Sequence, residues 1–171
     1  MRIRESVRED FPQILAIIND AAQAYRGVIP ADRWHDPYMP ASELQKQIGE
    51  GVAFSVAEDQ GQMLGVMGFQ DRGEVALVRH AYVSITVQRG GVGTKLLHHV
   101  QRLTNKPILI GTWADATWAI SFYQRSGFSV VPKEEIARLL RKYWSIPDRQ
   151  VETSVVLADR RWMDSVGAAG V

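Results

Sequence analysis

Gln88-Arg89-Gly90-Gly91-Val92-Gly93-Thr94 lies between an apolar run, Glu74 to Val83, and a segment with helical spacing, Gly91 to Leu103. Glycines in such a turn let the backbone approach a ligand closely. The unbonded N–H groups and dipole at a helix start favour an anion there. The local physics points to phosphate. A nucleoside-triphosphate loop requires Gly, four residues and then Gly-Lys-Ser/Thr, but here the order is Gly93-Thr94-Lys95 and the upstream position is Gln88. A dinucleotide fingerprint requires a third small residue where this chain has Leu96. Without its neighbours, the turn also reads as a plain helix cap.

The surrounding pattern is that of a mixed α/β domain. Arg2 to Ser6 alternates as a strand, and Arg8 to Ala24 carries Phe11, Ile14, Leu15, Ile18 and Ala22 at helical spacing. A loop rich in aromatics and proline follows to Pro40, then a helix from Ser42 to Gly49. Val52 to Glu58 and Met63 to Gln70 read as strands joined at Asp59-Gln60-Gly61-Gln62. After the glycine turn, Lys106 to Trp113 reads as a buried strand, Thr117 to Ser126 as a helix closed by Gly127, and Phe128 to Val131 as a short strand. Lys133 to Trp144 is an amphipathic helix, Val151 to Leu157 a last strand, and Arg160 to Val171 a loose tail. Consecutive middle strands predict antiparallel pairing, and the strand–helix–strand units after Val83 predict at least one parallel pair. One domain over 1–157 with a tail over 158–171 suits a chain of 171 residues.

Composition narrows the chemistry. The chain has no cysteine, so thiolate nucleophiles, disulfides and cysteine-held zinc are excluded. His98 and His99 are adjacent on a helix and point apart, and the reading includes no metal. A net charge of +1 provides no global attraction for nucleic acid or membrane. No apolar run has the length of a spanning helix, and the N-terminus lacks a leader pattern, so a cytoplasmic location is expected.

Two motifs together carry a family resemblance. Gln88-x-x-Gly91-x-Gly93, after Tyr82-Val83 and before Leu96-Leu97, resembles the core motif of the GCN5-related N-acetyltransferases. Ala119-x-x-Phe122-Tyr123-x-x-x-Gly127-Phe128 resembles that family's second cofactor motif, in its order and at its usual separation. The resemblance implies a mostly antiparallel sheet, splayed at the cofactor site, with helices on both faces. It implies acetyl transfer from acetyl-CoA to the primary amine of a small molecule, by direct attack in a ternary complex. The amides of Arg89, Gly90, Gly91, Val92, Gly93 and Thr94 would hold the pyrophosphate, with Gln88 opening the turn. Ala81, Tyr82 and Val83 would pair with the pantetheine arm as an added strand does. Val83 would polarise the thioester carbonyl, and Tyr123 would protonate the departing thiolate. Where the family often has an asparagine, this chain has Ala116, with Asp115 and Thr117 beside it.

The base that frees the amine is open between His80 and Glu74 on the run before the turn, each also readable as structural. Alternation predicts that His80 and Tyr82 share one face and Arg79 and Ala81 the other. The resemblance places acceptor binding in the segment Tyr25 to His35, with Tyr25, Arg26, Asp32 and Trp34 as candidates. Trp113, Trp118 and Trp144 are candidate pocket walls. The family often dimerises, which implies a possible homodimer. A second reading stays open: the same fold as a non-catalytic acyl-CoA sensor or structural module.

Overall fold

The computed structural model describes residues 1–169. Seven strands form one sheet in the order β1-β2-β3-β4-β5-β7-β6, where β1 is Arg2–Glu5, β2 Ala53–Asp59, β3 Gln62–Asp71, β4 Ala76–Val83, β5 Ile108–Trp113, β6 Ser129–Val130 and β7 Ser154–Ala158. All neighbours run antiparallel except β4 and β5. The β2–β3 turn places Gln60 at φ 48° and Gly61 at φ 79°, the two left-handed residues of a tight hairpin whose twist matches its strands.

Helices cover both faces. On one lie α3 (Val92–Gln101) and α4 (Thr117–Arg125), whose Leu96, Leu97, Val100 and Tyr123 pack with Met67, Val78 and Ile110. On the other, α1 (Phe11–Ala22) and α2 (Ala41–Gly49) cover the β2–β3 side through Ile14, Ile18 and Leu44 on Phe54 and Val66. Beside them, α5 (Lys133–Tyr143) packs Leu139 and Leu140 against Leu77 and Leu109.

Two segments depart from the sequence reading. Val151 was expected to begin a strand, but it is buried on the short helix α6 (Asp148–Glu152), which starts after Pro147. The expected loose tail is instead helix α7 (Arg160–Ala169), while 170–171 lie outside the described residues. Asp159 caps α7 by accepting the Trp162 N–H at 3.2 Å, and Trp162 is buried in the same cluster as α5. That anchor was hard to read because so few apolar residues accompany it.

The feature that creates the site is a parting of strands. β4 and β5 pair only at Ala76↔Ile108, Leu77↔Leu109 and Val78↔Ile110. Beyond those pairs the sheet opens, and the rest of β4 presents a free edge to the gap.

Candidate functional site

The splay is bordered by a bulge in β4. The β3–β4 register slips between Val66 and Gly68, and His80 takes φ +52°, unusual for a residue with a side chain. Alternation therefore fails: Arg79 contacts Gln70 and His80 contacts Gln47 on the α2 face, while Ala81 packs towards α3. The pairing of His80 with Tyr82 agrees with the sequence expectation. That of Arg79 with Ala81 does not, because the extra residue of the bulge shifts the pleat.

Past the bulge the backbone is aimed at the gap. Ser84 N–H donates to Leu64 C=O at 2.8 Å across the Gly65↔Val83 register position. That bond marks Val83 as a non-hydrogen-bonded pair, so its own N–H and C=O face away from β3 and into the splay.

The turn 88–94 lies at the end of this edge. Arg89 and Gly91 both have left-handed backbone, φ 73° and 76°, and α3 begins at Val92. The amides of the first helical turn have no acceptor within the helix, so those of Val92, Gly93 and Thr94 remain for a ligand. A groove of about 660 Å³ runs from this turn to the splay. Gln88, Arg89, Gly91, Val92, Gly93 and Thr94 line one end, and Ala81, Tyr82, Val83, Phe122 and Tyr123 the other. Gly90 belongs to the turn, and its N–H is taken by Val87 C=O at 3.2 Å. A Cβ on Gly93 would stand 3.3 Å from Phe122, so the close seating of α3 against α4 leaves little room there for a larger residue.

A second cavity, of about 130 Å³, opens from the splay on the α5 side of the sheet. Tyr25, Tyr38, Tyr82, Trp113 and Trp144 form its aromatic walls, and Thr112, Gln150, Ser154, Arg79 and His80 its polar ones. The two cavities share Ala81, Tyr82, Ala119 and Tyr123. Tyr123 thus stands at their junction.

Burial sets the charge state of the site. It holds the phenols of Tyr25, Tyr38, Tyr82 and Tyr123 above the ordinary tyrosine value, so all four stay protonated. Trp113 Nε1 donates to the Tyr38 hydroxyl at 2.9 Å. Burial, helped by neighbouring Arg79, lowers His80 from 6.5 to about 3. Glu43 receives a bond from the Gln47 amide nitrogen at 3.2 Å, which turns the Gln47 carbonyl towards His80. His80 Nε2 then carries the proton and donates it, and the neutral ring is held in the bulge.

The linkage has a definite sign. A buried histidine with a lowered value contributes its stability above the unfolded value of 6.5 and loses it as pH falls. His80→Asn is therefore expected to flatten the drop in thermal stability between about pH 7 and 5, a drop to which His80 contributes up to about 2 kcal/mol. Melting curves of both proteins at the two pH values check this.

The other expected site residues divide. Tyr25 lines the acceptor-side cavity, stacks on Trp118 at 5.9 Å and meets Tyr82 edge-on at 6.3 Å. Trp34 supports the wall from behind, stacked on Tyr38 at 5.9 Å. Arg26 is exposed and lines neither cavity. Asp32 is exposed and paired with Arg149 at 2.9 Å. Glu74, at the far end of β4 from the turn, bonds Lys142 at 2.9 Å and Tyr143 at 2.8 Å, contacts that hold its carboxyl below the usual range. Glu74 does not join the site, and Glu74→Gln is expected to leave turnover within about twofold, as exposed ion pairs contribute little. Asp115 and Thr117 are exposed and line neither cavity, whereas Trp118 borders the groove. Sequence reasoning missed Tyr38, Thr112, Gln150 and Ser154, which converge from four separate segments without a shared motif. Among the described residues no group of three or more acidic, histidine or cysteine side chains is placed to hold a metal ion, and no helix is long and apolar enough to cross a membrane.

Comparison with known proteins agrees with this geometry. The family profile described as "Acetyltransferase (GNAT) domain" matches residues 19–140. Among solved structures, the chain is similar to the PaiA N-acetyltransferase of Thermoplasma acidophilum in complex with coenzyme A, with TM-score 0.70 and 14% identity, covering 92% of this chain and 97% of that one. It is also similar to a GNAT-family acetyltransferase of Staphylococcus aureus, with TM-score 0.68 and 17% identity over 94% and 98% of the two chains. The ribosomal-protein-S18-alanine N-acetyltransferase of Escherichia coli gives TM-score 0.63 and 17% identity over 92% of each chain. At these identities the likeness shows the fold. No curated protein matches the sequence. The profile match over most of the chain, on a sheet splayed beside a glycine turn, places this protein in the GNAT acetyltransferase family.

Proposed function

We propose that this protein transfers an acetyl group from acetyl-CoA to the primary amine of a small molecule, within a ternary complex. The observation that carries the reading is the junction of two cavities at Tyr123, one reaching the phosphate-type turn and the other an aromatic chamber across the sheet. Coenzyme A lies in the groove, its diphosphate on the amides of Val92, Gly93 and Thr94 and its pantetheine arm along Ala81 to Val83. The thioester then meets the acceptor at the junction.

The chemistry follows from the groups present. The amine nitrogen attacks the thioester carbonyl, and the oxyanion that forms is stabilised by the Val83 N–H, which points into the splay. The C–S bond breaks as Tyr123 gives its proton to the sulfur, and the proton lost by the amine restores the phenol. The products are an acetamide and free coenzyme A. Burial keeps the Tyr123 acid in its protonated form across the working pH range.

His80 is a poor base for this step, since its neutral ring takes up a second proton only near pH 3. We assign it to fixing the bulge that aims β4. The hydroxyls of Tyr25, Tyr82 and Thr112, close to one another around the chamber, provide a neutral path for the amine proton. Release of free thiol from acetyl-CoA, followed with a panel of small amines, tests the reading. Acetylated amine formed in step with thiol supports it. Tight coenzyme binding without thiol release for any amine favours a sensor of the same fold.

A further inference from the structure

The aromatic chamber is walled without charge. Among the described residues, no carboxylate and no lysine lines it, and Arg79 is its one bordering residue with a permanently charged side chain. That side chain is committed elsewhere. Arg79 Nη1 donates to Gln70 Oε1 at 3.2 Å, and the residue borders a separate cleft with Glu43, Glu50 and Arg72. The titratable walls are neutral as well, since burial keeps Tyr25, Tyr38, Tyr82 and Tyr123 protonated and the His80 ring uncharged.

The sheet supplies the floor. Half-buried Ser154 shares a face of β7 with Val156 and Ala158, which pack with Leu140 and Trp144 beneath α5. On β5, Gly111 has no side chain, and a Cβ there would stand 3.2 Å from the Trp144 indole, so the ring lies directly over the strand backbone. The chamber holds about 130 Å³, near the cavity of about 150 Å³ that takes one benzene. A charge on a short acceptor seated here would have to sit among these walls. An ion gives up its hydration on entering, and no opposite charge meets it. Aromatic faces restore part of that loss to a cation and none of it to an anion.

We infer that the chamber selects an amine carried on a compact, uncharged body, and discriminates against short acceptors that bear a carboxylate or a second ammonium. The same walls favour the free amine over its ammonium form, and the free amine is the nucleophile that the transfer needs. This inference rests on the acetyltransferase reading and narrows its substrate class.

The test uses acceptors matched in size that differ in charge: n-butylamine against 1,3-diaminopropane, and β-alaninamide against β-alanine. Rates are referred to the unprotonated amine, so that differences in basicity cancel. In the wild type, kcat/KM is expected to favour the neutral members by about tenfold or more, as an ion desolvated without a partner is costly. Ser154→Asp places a carboxylate on the floor and should raise the use of 1,3-diaminopropane by about tenfold, whereas Ser154→Asn, of like size and without charge, should not. Coenzyme A affinity, measured by calorimetry on each variant, reports that the fold is intact, and the wild-type pairs decide the inference if Ser154→Asp does not fold. Equal use of charged and neutral partners by the wild type overturns the inference, as does a folded Ser154→Asp that gains no more than Ser154→Asn. If no amine is acetylated, the transfer reading fails, and the same pairs are titrated into the coenzyme A complex while tryptophan fluorescence is followed. Binding of the neutral members alone supports the uncharged chamber independently of catalysis. Equal binding of the charged members, or binding of neither, overturns it.

Discussion

Tyr123→Phe is expected to lower kcat by about 100- to 1,000-fold, the range set by loss of a positioned general acid, while coenzyme A affinity changes little. The substitution removes one hydroxyl and keeps the ring, which packs edge-on against Phe122 at 5.2 Å and Phe128 at 6.3 Å, so core packing is conserved. No hydrogen bond from a described residue holds the hydroxyl, so its removal leaves no unsatisfied partner behind. Its position at the shared wall of the two cavities is what ties it to the leaving thiolate. Acetyl donors built on a more acidic thiol should be less affected, because a better leaving group needs less protonation. A steady-state assay with acetyl-CoA and with an acetyl thioester of a more acidic thiol measures both effects. Equal rates for wild type and variant would return Tyr123 to the role of a core aromatic.

Gly91→Val should weaken coenzyme A binding by about tenfold or more. Gly91 has φ +76°, and a β-branched residue in left-handed backbone costs at least about 1–2 kcal/mol. The chain escapes that strain by rotating the turn, which withdraws the Val92, Gly93 and Thr94 amides from their common aim. No Cβ clash is involved, since a side chain at Gly91 would meet open space. The effect therefore isolates backbone direction from steric filling. Calorimetry on the variant, with a melting curve to show that the core is intact, separates lost binding from lost fold. Undiminished affinity would mean that the turn does not hold the diphosphate.

The placement of these two positions at the groove is legible in the sequence, for physical reasons. Glycines at a strand-to-helix turn can be read because they are required by backbone geometry, and the Phe122-Tyr123 helix because its spacing is regular. The hairpin at Gln60-Gly61 was readable on the same ground. The bulge at His80 was not, because a histidine rather than a glycine occupies the left-handed position, and the one-residue slip reverses the predicted face of Arg79. The acceptor chamber was only partly visible. Tyr25 belonged to a loop marked by its aromatics, whereas Tyr38, Thr112, Gln150 and Ser154 meet only through the sheet order and the splay between β4 and β5. Glu74 misled for the opposite reason: it is near His80 in sequence yet at the other end of an extended strand, bonded to α5.

The central claim is that main-chain donors between Gln88 and Thr94 grip a diphosphate while its thiol-bearing arm lies along β4. Titration calorimetry of coenzyme A, run beside pantetheine that lacks the diphosphate, tests it most directly. The account predicts saturable binding of coenzyme A, much weaker binding of pantetheine, and loss of that difference in Gly91→Val. Absence of heat with coenzyme A, or equal affinity for the two compounds, would contradict it.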